Sequence, residues 1–191
     1  MRPSPSTNLP PDAGPTLLTL ARHAVADELN LPSPAPDLGP AWLRAPGACF
    51  VTLEIDGRLR GCIGSLRPHR ALAEDVTHNA CSAAFHDRRF DRLTSAEYPR
   101  VDFEVSVLST PETLTCADRA DLAGQLRPGL DGLLVTYPGH RGTFLPQVWE
   151  MVDGVEEFLT RLWAKARLPA GFWHRDLSLS RYTVTPFREV P

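Results

Sequence analysis

The dipeptide Asp56-Gly57 separates two runs, 48–55 and 58–64, in which β-branched and apolar residues recur at alternate positions. Both turn residues tolerate the positive φ that a two-residue hairpin demands, so an antiparallel strand pair is expected here. A lone hairpin is marginal in water, so this pair must belong to a sheet with an apolar face to bury. The strongest candidate for a further strand is 101–107, where Val101, Phe103, Val105 and Val107 alternate with Asp102, Glu104 and Ser106. A looser hairpin is expected from 132–137 and 143–145 around Pro138-Gly-His-Arg-Gly142, and a closing strand around 180–185.

Helical spacing appears between these runs. Leu17, Leu20, Ala21, Ala24 and Val25 form one apolar stripe behind Thr16, the expected N-cap. Leu72, Val76, Asn79, Ala80 and Ala83 share a face within 70–86. Asp153 and Glu156 have the spacing of a capping box before the stripe Val155, Phe158, Leu159, Leu162, Trp163 and Ala166. Strands in hairpins with helices between them give an α+β class, a mostly antiparallel sheet flanked by helices, with a smaller second lobe.

Proline limits where regular structure can begin. Ten of the nineteen prolines lie at or before position 46. Residues 1–15 are therefore expected to be a disordered proline-rich arm and 30–46 an irregular linker, leaving 16–190 as a single domain. The net charge of −3 and pI of about 6.1 disfavour nucleic acid as a partner. No run approaches the ~20 apolar residues of a membrane helix. The first fifteen residues contain no apolar signal core, so a cytoplasmic protein is expected. Cys49, Cys62, Cys81 and Cys116 contain no CxxC pair and read as individual thiols, with no metal site expected.

Chemistry is most expected in Leu59-Arg60-Gly61-Cys62-Ile63-Gly64. Two glycines weaken a strand, which makes sense where something approaches its backbone closely. In regular pairing Arg60 and Cys62 share a face, with Leu53 opposite Arg60 and Val51 opposite Cys62. A guanidinium there would favour the thiolate, making Cys62 a nucleophile and Arg60 its activator. A buried structural cysteine is the alternative. Asn79 either aims an amide at a site or satisfies nearby backbone. Glu104 points away from the apolar face of its strand. The run His86-Asp87-Arg88-Arg89-Phe90 is either a site element or a solvated helix end. Arg141 and Gln147 are expected at a loop rim.

Several blocks together, LRGCIGSL at 59–66, LAEDVTHNACSAAFHDRRF at 72–90, EVSVLS at 104–109, GHRGTFLPQV at 139–148 and EEFLTRLWAKARLP at 156–169, closely resemble the AMMECR domain family. Its prokaryotic members are called AmmeMemoRadiSam system protein A. The resemblance runs from about Thr16 to Val190 and implies a two-part α+β domain with the LRGCIG block beside a cleft. Matching positions are Arg60, Gly61, Cys62, Gly64, Asn79, Asp87, Arg89, Phe90, Glu104, Arg141, Gly142, Pro146 and Gln147. Arg88 departs from the family's usual proline, and Trp163 from a frequent cysteine. The family's name implies a Memo-like protein and a radical SAM enzyme as partners. Two functions follow as expectations: a thiol-dependent enzyme acting through Cys62 on a small molecule or modified residue, or a non-catalytic module binding a ligand or partner in the same cleft.

Overall fold

The computed structural model describes residues 9–189. In chain order it contains α1 (Ala13–Glu28), β1 (Pro46–Gly47), β2 (Cys49–Ile55), β3 (Arg58–Gly64), β4 (Arg70–Ala71), α2 (Leu72–Phe85) and β5 (Val101–Leu108). Then come β6 (Glu112–Leu114), α3 (Arg119–Gln125), β7 (Gly132–Tyr137), β8 (His140–Phe144), α4 (Val155–Lys165), β9 (Ser178–Tyr182) and β10 (Val184–Arg188). Two compact units divide these elements. The larger holds the described residues up to Leu108 and those from Thr185 onward, and the smaller is Ser109–Val184.

In the larger unit the strands lie in the order β10-β5-β2-β3, with β2 antiparallel to both β5 and β3. Alternation works as expected: Cys49, Val51 and Leu53 on β2 and Val101, Phe103, Val105 and Val107 on β5 are all buried. The stripes of α1 and α2 cover this face and complete one core. Each fully buried Leu, Val or Phe there contributes roughly 1.5–3 kcal/mol. Arg22 of α1 secures the segment after β10, donating to Glu189 at 2.5 and 2.8 Å, while Glu189 also accepts the Phe103 N–H at 2.9 Å.

The smaller unit has a second sheet, ordered β6-β9-β7-β8, and its own core of Leu122, Leu133, Phe158, Leu162 and Trp163 with their neighbours. The Trp149 ring stacks on Phe158 at 3.9 Å between centroids, and its indole N–H donates to Asp131 O at 2.7 Å.

Several boundaries differ from expectation. Helix α1 starts at Ala13, not after Thr16, and Ala13 is fully buried while Leu9 packs on the core. Thus the later part of the expected arm is built into the larger unit; its first eight residues lie outside the described ones. Strand β8 begins at His140, because Pro138-Gly139 alone forms the turn, with Gly139 at φ 77°. Gly154, not Asp153, caps α4, and Glu157 rather than Glu156 reaches back to accept the Asp153 N–H at 2.5 Å. The single closing strand is two strands, β9 and β10, which join different sheets.

Candidate functional site

Asp56 and Gly57 adopt φ of 52° and 71°, as the two-residue turn requires. Past the turn, the pairing departs from the expected register. Glu54 faces Leu59 but Leu53 faces Gly61, so Arg60 is the extra residue of a β-bulge. The cause is the helix above: a Cβ on Gly61 would lie 2.2 Å from the Ala83 carbonyl oxygen, so α2 rests directly on this backbone. Gly64 has a similar role, since a Cβ there would meet the Phe50 ring at 2.3 Å. What approaches the two glycines is the protein itself, not a reagent.

The bulge shifts the register by one residue. Cys62 stands opposite Thr52, not Val51, and the Thr52 hydroxyl donates to Cys62 Sγ at 3.4 Å. Thr52 in turn stands opposite Glu104, placing Cys62, Thr52 and Glu104 in one row across the outer face of the sheet. Glu104 is ion-paired to Arg188 and accepts the Ser106 hydroxyl at 2.7 Å. Arg60 turns elsewhere. Its guanidinium forms a fork on Glu97 at 2.9 and 3.2 Å and donates to Asp91 O at 2.9 Å. That pairing holds the Glu97 carboxyl down at about 2, with help from the Thr94 N–H and hydroxyl. The expected activation of Cys62 by Arg60 has no geometric basis here, because the guanidinium is committed to Glu97 and Asp91.

Asp87 and Arg89 instead hold the Cys62 backbone. The Cys62 N–H donates to Asp87 at 3.0 Å, Arg89 donates to Cys62 O at 3.2 Å, and a two-point ion pair with contacts of 3.0 and 2.6 Å joins the two side chains. Arg89 holds the Asp87 carboxyl well below the usual carboxylate range. Strand β3 is a sheet edge, so this pair satisfies polar groups that a neighbouring strand would otherwise take.

Asn79 is buried inside α2's contact with the sheet. Its amide donates to Cys49 O and to Asp75, each at 3.0 Å, so it satisfies backbone rather than lining a site. Asp75 is fully buried and accepts the Cys49 N–H, the Ser65 hydroxyl and Arg70. Asp75 and Glu97 were not among the expected residues. Two signals were there to read: Asp75 sits four residues before Asn79 on one helix face, and Thr94-Ser-Ala-Glu97 has capping-box spacing.

Arg141 and Gln147 belong to the smaller unit. Arg141 is exposed on β8 beside a hollow of about 510 Å³ that it lines with Tyr137, His140 and Asp176, and Gln147 is exposed on the 3-10 turn Pro146–Met151. The other three thiols are biased toward the neutral form. Burial pushes Cys49 far up and Cys81 up, and Cys116 is raised by burial and then by Asp121 and Asp118. Among the described residues no three His, Cys, Asp or Glu side chains converge on a metal-sized site, and no helix is long and apolar enough to cross a membrane.

Beside β3 lies a second hollow of about 570 Å³, lined by Arg60, Arg88, Arg89, Phe90, Asp91, Arg92, Thr94 and Glu97. No expected catalytic residue except Arg60 contributes to it.

Comparison with known proteins extends over nearly the whole chain. The AMMECR1 family model matches residues 18–187. A protein of Methanothermobacter thermautotrophicus is 38% identical over 93% of this chain and 95% of its own length. Protein TV1384 of Thermoplasma volcanium is 34% identical over 98% of this chain and 94% of its own. The crystal structure of protein PH0010 from Pyrococcus horikoshii superposes with a TM-score of 0.80 at 32% identity, covering 92% of this chain and 91% of that one.

Proposed function

This chain belongs to the AMMECR1 family, and from that premise we propose that it is a non-catalytic binding module whose working surface is the outer side of β3 with the loop after α2. One observation carries this reading: the Arg60 guanidinium is spent on Glu97 and Asp91 O, so the motif's only strand-borne cation does not serve the thiol. The glycines are likewise occupied by the protein's own helix and ring. A motif whose arginine and glycines are all committed to contacts within the protein is suited to presenting a rigid surface. The family resemblance suggests what such a module would serve, a Memo-like protein and a radical SAM enzyme, and four unpaired cysteines fit the reducing cytoplasm.

The competing reading, Cys62 as nucleophile, keeps two points in its favour: Thr52 aims a hydroxyl at the sulfur, and Arg89, which donates to Cys62 O, interacts electrostatically with the residue. Competitive alkylation of the folded chain near neutral pH, read by peptide mass spectrometry with glutathione as internal reference, separates the two. The binding reading expects Cys62 to label no faster than glutathione. Labelling ten or more times faster would mark an activated thiol and overturn it.

A further inference from the structure

We propose that the arginine-lined hollow beside β3 binds the phosphate group of a small phosphorylated ligand, an inference that rests on the binding-module reading and specifies its ligand class. The hollow lies wholly within the larger unit, and its volume of about 570 Å³ falls in the usual range for small-molecule sites. Four arginines line it against two acidic residues, Asp91 and Glu97, and Glu97 is already taken by Arg60 and Thr94.

The four arginines differ in kind. Arg60 and Arg89 are fixed: the first by Glu97 and Asp91 O, the second by Asp87 and Cys62 O. Their positions cost little further ordering when a ligand arrives. Arg88 is exposed and has no hydrogen-bond or ion-pair partner among the described residues. Arg92 pairs with Glu28 at 3.6 Å, both side chains more than half exposed, and its guanidinium lies 5.0 Å from the Phe85 ring centre, so it is held only loosely. Two anchored forks, one loosely held and one free, around one concavity suit an oxyanion with several acceptor oxygens, which phosphate supplies and a single carboxylate does not. Phe90 adds a flat apolar wall, with the Arg89 guanidinium 5.4 Å from its ring centre, beside which the organic part of a phosphate ester would lie.

Calorimetric titration of the full chain at low salt with inorganic pyrophosphate tests this, with succinate as a carboxylate of comparable reach. Saturable pyrophosphate binding is expected, with succinate at least about tenfold weaker. Arg88→Ala, whose side chain holds nothing in place, should keep the fold and weaken pyrophosphate by about tenfold. Arg175→Ala, 89% exposed in the smaller unit, should change nothing. Absence of saturable heat, equal affinity in Arg88→Ala, equal losses in both variants, or succinate binding as tightly as pyrophosphate would each overturn the proposal. Its failure leaves the alkylation result untouched. Conversely, fast Cys62 labelling alongside normal pyrophosphate binding would defeat the binding-module reading while the anion site stood.

Discussion

Glu97 accepts from Arg60, from the Thr94 N–H and from the Thr94 hydroxyl, and so ties the bulge of β3 to the segment leading into β5. Its carboxyl titrates at about 2 in the folded chain, against roughly 4.3 when unfolded. A folded pKa below the unfolded one contributes stability that is complete above the unfolded value and disappears as pH falls toward the folded one. The urea midpoint of the full chain should therefore decline between about pH 5 and pH 2, with Asp87 adding to the decline in the same direction. Glu97→Gln should be less stable near neutrality and show a shallower acid limb; an unchanged limb would mean that Arg60 gains nothing from the pair. Gly61 gives a second measure at this scale. Adding a methyl 2.2 Å from a helix carbonyl should cost about 1–3 kcal/mol or more in Gly61→Ala by urea unfolding. A loss below about 0.5 kcal/mol would show that α2 does not rest there.

Elements whose signal is local were legible in the sequence. Asp56-Gly57 fixed its own turn, and the stripes of α1 and α2 gave their buried faces, because each depends only on neighbours a few residues away. The bulge was not legible, since its cause is Ala83, twenty-two positions beyond Gly61. The roles assigned to Arg60 and to the two glycines followed from a regular pairing and changed with it. Helix α1 shows the opposite error, in which proline content masked order: Pro15 sits in its first turn, where a proline costs no hydrogen bond. Truncation to Thr16 should therefore remove Leu9, buried Ala13 and that turn, lowering the melting temperature by about 4–8 °C if the loss is about 2 kcal/mol. A shift under one degree would return those residues to the status of a dispensable arm.

At the scale of the whole molecule, the smaller unit is an insertion. The chain leaves the larger unit after Leu108 and re-enters it at Thr185, and the two apolar cores share no residue. Within the insertion its two ends already lie together, the Ser109 N–H donating to Thr183 O at 2.9 Å and the Thr183 N–H to the Ser109 hydroxyl at 3.0 Å. Replacing Ser109–Val184 with a short glycine-serine linker should leave a larger unit that unfolds cooperatively, with the native aromatic circular dichroism of its remaining residues. Non-cooperative melting would show that the first core depends on the second.

That insertion also sets an order of assembly during translation. Helix α1, made before the smaller unit, packs on a sheet whose outermost strand, β10, is made after it. Strands β6, β7 and β8 are synthesised well before β10, but β9, which lies between β6 and β7 and carries the core residue Leu179, precedes β10 by a single residue, so both sheets wait for the same stretch of chain. Until then β5 has a bare edge and Arg22 has no Glu189 to grip. A chain stalled or clipped before β10 would thus expose the larger unit's sheet to foreign strands, although nearly all of its core residues had already been made.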